Sequence, residues 1–271
     1  MPENQPMPAG SRKISAWAHW LSTFLLAAAF LSAFITVVHK SDSNWPEALL
    51  LVFAAVSAVT ALARQLPLQN VLLAALVIAI IGGAAHALGA ITGIPFGPFT
   101  FGSEAGAQLF RTLPWAMPLL WIAVVLNSRG AARLILRPWR KTRAYGFWLI
   151  GLTAALTLLF NLALDPFAAR MKHYWIWTPT KFPLAWQGAP LTNCIAWGVV
   201  SLLILAFITP ALINKQLVRR SPPDFHPLAV WLGAILLFGT ASALRGLWPV
   251  ACTDAIIFIV AAVFAIRGAI W

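Results

Sequence analysis

The sequence has few charged residues and few side chains that could hold a metal. Only 10% of its 271 residues are Asp, Glu, Lys or Arg, against about 25% in an average soluble protein. The two cysteines, Cys194 and Cys252, form no CxxC or other metal-type spacing, so we expect both to be unpaired core residues. This composition is not that of a soluble domain.

Motifs that other enzyme classes require are also missing. The five histidines form no HxxH, HxxxH or HxxHH pattern, which disfavours a membrane di-iron site. There are no DDxxD or NDxxD aspartates to hold Mg²⁺ and diphosphate, and no GKS, GKT or GxGxxG to cradle a phosphate. These absences count against a Mg²⁺-dependent prenyltransferase and against a phosphate-binding loop.

Apolar residues are abundant, at 61% of the chain. They form runs of about 18 to 24 residues, long enough to cross a hydrocarbon core of about 30 Å. The prediction is an all-α, polytopic helical membrane protein with about eight transmembrane helices. The predicted spans are Ile14–Val38, Glu47–Ala63, Asn70–Ala90, Gln108–Asn127, Tyr145–Leu164, Leu191–Ile213, Pro227–Leu244 and Val250–Ile266.

The basic residues predict the orientation of these spans. There are 19 Lys and Arg against 7 acids, and most of the basic residues fall in alternate connections, including a cluster from Arg129 to Arg143. The positive-inside rule then places both termini in the cytoplasm and the chain in the inner membrane, with the cluster against anionic lipid. Membrane lipids are the expected partners, and nucleic acid is not. Residues 1–12 are predicted to be a disordered polar tail, and 13–271 a single transmembrane domain.

Two connections differ from ordinary polar loops. Ile91–Ala107 and Asp165–Pro190 are rich in Gly, Pro and aromatic residues, and the predicted topology puts both on one face. Irregular backbone at membrane depth is tolerated where protein or a cavity buries it. We interpret the two loops as walls of one pocket. The alternative is a pair of interfacial loops anchored by tryptophan.

Asp165 is the first candidate for chemistry, because it ends an apolar run and a charge there is costly unless it is used or paired. It lies four residues after Asn161, on the same helix face, and Pro166 is expected to end the helix. In an apolar setting the carboxyl is expected to keep its proton and to be able to donate it. The alternative is a structural carboxylate paired with Arg170 or Lys172.

Other candidates are weaker. His86, near the end of the third span, could be a second proton-transfer group or a hydrogen-bonded core histidine. Glu104 and Asp254 are further acids near the loop face, whereas Glu47 is interpreted as a solvated interfacial charge. Most of the 14 tryptophans fit an interfacial belt. Four cluster around the acid and are better candidates for a pocket: Trp175, Trp177, Trp186 and Trp197.

Three passages carry a resemblance to a known family. They are Gly89–Gly97 (GAITGIPFG), Leu164–Pro166 followed by Trp175 and Trp177, and Gly188-x-Pro190-x-x-Asn193-x-x-x-Trp197. In order and spacing they resemble the motifs of the bacterial and archaeal carotenoid-biosynthesis membrane proteins. That family contains carotenoid 1,2-hydratases that act on acyclic ends such as those of gamma-carotene and bisanhydrobacterioruberin. The likeness covers roughly residues 70–210.

The chain departs from the family pattern at several positions. His86 stands where the family usually has Glu, Phe99 and Phe101 replace a Tyr-rich pair, and Ala196 replaces a glycine. The first two changes affect groups that could handle protons.

The resemblance implies hydration of the terminal C1–C2 double bond of an acyclic carotenoid, with water as co-substrate and no cofactor. Asp165 would be the acid, Asn193 would position water, and His86 would assist proton transfer. The substrate would contact residues of both loops, namely Thr92, Gly93, Pro95, Phe96, Trp175, Trp177 and Trp197. Two alternatives stay open: another cofactor-free isoprenoid enzyme, such as a cyclase or isomerase, and a non-enzymatic carotenoid or lipid binder or carrier.

Overall fold

The computed structural model describes residues 9–41, 43–179, 184–212 and 222–270. Within these ranges it contains eight helices that are long and apolar enough to cross a membrane. They are α1 (Ala9–Val38), α2 (Trp45–Ala63), α3 (Leu68–Thr92), α4 (Ala116–Ile135), α5 (Tyr145–Asp165), α6 (Leu191–Ile208), α7 (His226–Leu244) and α8 (Trp248–Ile270). The prediction of a polytopic all-α membrane protein is confirmed. Residues 1–8 of the predicted tail lie outside the described ranges, and the predicted domain division stays a prediction.

Helix α4 lies at the centre of the bundle and contacts α2, α3, α5, α7 and α8. Small residues allow neighbouring helices to approach it closely, as is common in membranes. A Cβ on Gly82 of α3 would collide with the Trp121 ring, and a Cβ on Gly268 of α8 would collide with the Leu134 carbonyl. Because α4 is surrounded by protein, it can carry the buried polar residues Asn127 and Arg129.

The fourth span differs from its predicted range of Gln108–Asn127. Residues Gln108–Leu109 (β2) and Leu113–Pro114 (β3) pair as a short antiparallel hairpin, with Phe110 and Arg111 in left-handed conformation. The helix begins only at Ala116 and continues to Ile135. The error arose because the polar residues beyond Asn127 face protein in the centre of the bundle and do not mark the end of a span.

The α-helical geometry of α5 ends at Asp165 with Pro166 as the C-cap, as predicted, but the chain stays helical beyond it. It continues as a π-helical segment, Pro166–Met171, in which the Lys172 N–H donates to the Phe167 carbonyl (3.0 Å). Proline lacks an N–H, and widened turns are one way in which a helix accommodates such a local break. Asp165 therefore lies inside a continuous helical segment.

The two Gly-, Pro- and Trp-rich loops meet on one face, as predicted. Phe99–Phe101 (β1) of the first loop pairs antiparallel with Trp175–Trp177 (β4) of the second. Two shorter strands of the second loop, Ala185–Trp186 (β5) and Ala189–Pro190 (β6), form a hairpin that leads into α6. A Cβ on Gly97 would approach the Pro190 ring to 2.7 Å, so the loops are in direct contact. We call this end of the bundle the loop face.

Candidate functional site

The Asp165 carboxyl group is buried and surrounded by uncharged N–H donors. Its side chain is 2% exposed. The Trp175 Nε1–H donates to Oδ1 (2.9 Å) and the Asn193 amide donates to the same oxygen (3.4 Å). The Trp177 Nε1–H lies between the two oxygens, at 3.3 Å from Oδ1 and 3.2 Å from Oδ2. Oδ1 therefore accepts most of the hydrogen bonds, and Oδ2 has one shared contact.

Local structure explains how these groups converge. Trp175 and Trp177 are two residues apart on β4, so both side chains leave the strand on the same side. Pairing with β1 fixes the position of that strand. Asn193 is the third residue of α6, which begins directly after the β5–β6 hairpin. The sequence motifs thus bring three of the predicted residues to Asp165.

No cation pairs with Asp165 among the described residues. Arg170 donates instead to the Gln187 side chain. The Lys172 ammonium lies 2.6 Å from a Glu47 carboxylate oxygen and donates to the Ser43 carbonyl (2.9 Å). The predicted alternative of a structural ion pair with Arg170 or Lys172 is therefore wrong.

His86 lies in a separate buried cluster of aromatic rings. The Trp121 Nε1–H donates to His86 Nδ1 (3.0 Å), while Phe96 and Trp197 pack on the imidazole with ring centroids 4.2 and 5.7 Å away. A ring nitrogen that accepts from an indole N–H cannot carry a hydrogen, so the hydrogen of the neutral imidazole is on Nε2. The contact of Nδ1 with the Gly82 carbonyl (3.3 Å) is then not a hydrogen bond.

Phe99 connects this cluster to the acid. Its ring lies 6.3 Å from His86 and 5.3 Å from Trp177, and Trp177 contacts Asp165. His86 itself has no hydrogen bond to Asp165. Trp197, predicted to line a substrate pocket, is stacked on Trp121 at 4.3 Å and is 1% exposed.

The remaining predicted substrate-binding residues lie at the end of α3 and in the first loop. Thr92 donates to the Leu88 carbonyl (2.7 Å) and accepts from the Ile94 N–H. Gly93 ends α3 in left-handed conformation, with φ of 75°, where glycine is favoured. The Phe96 carbonyl accepts from Thr192 (3.2 Å). Thr92 and Gly93 thus shape the end of α3, and Phe96 connects the first loop to the beginning of α6.

The large cavity lies beside the acid. It has a volume of about 740 Å³ and runs between α1, α2, α4, α5 and α7 beneath the loops. Trp175, Leu164 and Phe167 line it, whereas Asp165 does not. Of the ten predicted site residues, Trp175 is the one on its wall. The Trp175 indole therefore has one edge on the carboxyl group and contributes to the cavity surface.

Sequence reasoning missed most of the cavity wall. Four aromatic residues of α5 and α7 pack against one another and line it: Phe160, Phe167, Trp231 and Phe238. Trp231 is 1% exposed and donates to Ser128 (3.1 Å), so it is not an interfacial belt residue. No sequence signal identified it, since Trp231 is the sixth residue of α7 and belt residues also lie near span ends.

A polar network borders the cavity at the loop face. The Asn44 amide donates to Glu104 (2.6 Å), and the Tyr174 hydroxyl donates to the Asn44 oxygen (3.4 Å). Burial and the nearby carboxylates of Glu47 and Glu104 raise the pKa of Tyr174, so the phenol keeps its hydrogen. Glu47 was interpreted as solvated, and that is wrong: its side chain is 9% exposed because Lys172 covers it.

The predictions for Asp254 and for the two cysteines can also be compared with the structure. Asp254 is buried at 1% exposure beside Gly239 of α7, and neither oxygen has a hydrogen-bond partner among the described residues. Cys194 is buried as predicted, but Cys252 is exposed on α8. No group of three His, Cys, Asp or Glu side chains with metal-site spacing occurs in the described ranges.

These observations define a multi-pass helical membrane protein with a buried acid beside an apolar cavity. A family model described as carotenoid biosynthesis protein matches residues 46–261, and the chain belongs to this family. The predicted resemblance is thus confirmed, and the chain is a membrane protein of carotenoid biosynthesis.

One curated relative is the bisanhydrobacterioruberin hydratase of Haloarcula japonica, which is 28% identical over 159 residues. The matched region covers 56% of this chain and 52% of the relative, so the chain spans about half of that protein's length. No solved structure matches the chain.

Proposed function

We propose that this protein is an enzyme that hydrates the terminal C1–C2 double bond of an acyclic carotenoid end. The observation that carries the proposal is the buried Asp165 carboxyl group, which accepts hydrogen bonds from uncharged donors. One of these donors, Trp175, also lines a large apolar cavity. The family and the name of the archaeal relative support carotenoid chemistry. The cavity accepts the polyene end, and no cofactor takes part.

The proposed reaction has two steps, protonation of the alkene and addition of water. Asp165 transfers a proton to C2 of the alkene, and the electron pair of the double bond forms the new C–H bond, which leaves a tertiary cation at C1. Water then adds to C1, and its surplus proton returns to Asp165. The product has gained one water molecule, and the acid is regenerated.

The hydrogen bonds of Asp165 assign different roles to its two oxygens. Oδ1 accepts from Trp175 and Asn193 and is held in place. Oδ2 has the single contact shared with Trp177, so Oδ2 holds and delivers the proton. The Asn193 amide is beside the same carboxyl group, from which it can orient the incoming water.

Aromatic rings surround the place where positive charge would develop. Trp175, Phe167 and Phe238 line the cavity, and the face of an aromatic ring attracts a cation. Proton transfer requires the reacting atoms to be about 3 Å apart. The Trp175 indole donates to Oδ1 and Trp175 lines the cavity, so in this proposal the bound substrate end displaces this indole to reach the carboxyl group.

Expression in a lycopene-producing bacterium tests the reaction class. The wild-type chain should yield pigments heavier by the mass of one water per modified end, and Asp165→Asn should yield none at equal protein level. Asp254→Asn is the matched control, since it makes the same change in another buried acid. Hydrated pigment from Asp165→Asn would remove Asp165 from the mechanism. New pigment without added mass would indicate a cyclase or isomerase.

A non-enzymatic carotenoid carrier is the second candidate, because Asp165 does not itself line the cavity. A carrier would co-purify with pigment and return it unchanged after incubation. Product formation by purified protein, with lycopene supplied in detergent, would exclude this role.

We also propose that both termini lie in the cytoplasm and the loop face on the opposite side of the inner membrane. Arg64 at the end of α2 and the arginine cluster at the end of α4 support this orientation. A reporter that is active only in the cytoplasm should be active when fused after Trp271 and inactive when inserted in the α7–α8 connection. The reverse result would invert the topology.

A further inference from the structure

A second cavity lies at the opposite end of the bundle from the loop face. Its volume is about 450 Å³, and it is formed by the ends of α2 and α4 and the beginnings of α5 and α7. Unlike the apolar cavity, it is lined by five guanidinium groups, those of Arg64, Arg129, Arg133, Arg137 and Arg140. Nothing in the proposed reaction uses them.

Arg129 makes this cavity more than a basic surface. It is 5% exposed on the central helix α4, and its Nη2–H donates to the Leu212 carbonyl (3.2 Å). No carboxylate lies within ion-pair distance of it among the described residues. A buried guanidinium has five N–H donors and is costly without a counter-charge, so Arg129 needs an anion that these residues do not supply.

The charge balance of the described lining leads to the same requirement. Asp224 is its one carboxylate. One of its oxygens accepts from the Gln65 side chain (3.1 Å) and the other from the His226 backbone N–H (3.1 Å). One carboxylate cannot neutralise the four guanidinium groups of Arg64, Arg129, Arg133 and Arg140, and the excess positive charge is concentrated in a concave site.

We propose that this cavity binds a phosphate group, supplied by the head group of an anionic phospholipid. Phosphate matches the planar, forked donors of arginine, which bind it through paired hydrogen bonds. Arg64, Arg133 and Arg140 are exposed at the end of the bundle, where lipid head groups lie. Arg129 is buried on the central helix, so the site extends from the surface into the bundle. The proposal does not depend on the hydration reaction.

Two double variants separate this site from general surface charge. Arg133→Gln with Arg140→Gln removes two charges that line the cavity. Lys141→Gln with Arg143→Gln removes two exposed charges from the same stretch of chain that do not line it. Each variant is purified in detergent with added phosphatidylglycerol or phosphatidylcholine, and retained lipid is counted by native mass spectrometry. Arg129→Gln is the third variant.

The wild type and the Lys141/Arg143 variant should retain phosphatidylglycerol in preference to phosphatidylcholine. The Arg133/Arg140 variant should bind it about tenfold to a hundredfold more weakly, because charge-assisted hydrogen bonds are lost. An equal loss in both double variants would overturn the site in favour of diffuse surface charge.

A soluble anion is the other possible ligand of this cavity. In that case inorganic phosphate should raise the unfolding temperature of the wild type but not that of the Arg133/Arg140 variant, and phosphatidylglycerol should leave both unfolding temperatures unchanged. The site would then stand, but its ligand would not be a lipid. Should Arg129→Gln not fold, the double variants still decide the matter.

Discussion

Asp165 and Glu47 are both buried carboxyl groups near the loop face, yet their partners differ in kind. Glu47 lines the apolar cavity directly and is paired with the Lys172 ammonium at 2.6 Å. Asp165 lies behind the cavity wall and has two indoles and an amide as partners. A full counter-charge favours the ionised form of a carboxylate more strongly than neutral N–H donors do, and neutral donors also fix its orientation. The contrast fits a structural role for Glu47 and the proposed chemical role for Asp165.

The largest effect on stability should come from breaking the ion pair. Lys172→Met leaves the Glu47 carboxylate buried without a cation, which costs about 3–5 kcal/mol. The free energy of unfolding in detergent micelles measures this loss. The double variant Glu47→Gln with Lys172→Met should recover much of it, because no uncompensated charge remains. If Lys172→Met alone is as stable as the wild type, Glu47 does not depend on Lys172 and the contrast with Asp165 fails.

Removing an acceptor from an indole donor should have an intermediate effect. His86→Leu leaves the buried Trp121 N–H without a partner, which costs about 1–3 kcal/mol of unfolding free energy. His86→Gln keeps an acceptor and should cost less, so the pair of variants isolates the hydrogen bond. His86→Glu restores the residue that the family usually has. Loss of activity at full stability in that variant would assign the histidine its own role.

The neutral donors of Asp165 can be tested through Trp177. Trp177→Phe keeps an aromatic ring against Phe99 but removes the N–H shared by both carboxyl oxygens. We expect the turnover rate to fall about tenfold, the equivalent of one modest hydrogen bond, with little change in unfolding temperature. Carotenoid product per unit of protein and time is the readout. An unchanged rate would mean that this donor does not orient the acid.

The smallest effect should come from Asp254, a buried acid without hydrogen-bond partners among the described residues. Asp254→Asn preserves its shape and removes no observed contact, so activity should stay within about twofold of the wild type. A loss comparable to that of Asp165→Asn would show that two buried acids take part. The single-acid proposal would then be wrong.

The residues around Asp165 were predictable because short-range sequence patterns determine their positions. A two-residue spacing puts Trp175 and Trp177 on one side of a strand, and Asn193 follows a proline that starts a helix. The large cavity and the pairing of Lys172 with Glu47 depend on which helices are neighbours. Apolar periodicity does not encode that order when every span is apolar. The fourth span was misplaced for the same reason, since a central helix tolerates polar residues that would otherwise mark the membrane boundary.

The π-helical turn after Asp165 has a consequence for that carboxyl group. In a regular α-helix, the residue seven positions further on returns to the same side after two turns, so Lys172 would face the direction of Asp165. The wider turn at Pro166–Met171 rotates the chain beyond it, and the ammonium reaches α2 instead. A backbone irregularity thereby keeps the acid without a counter-ion.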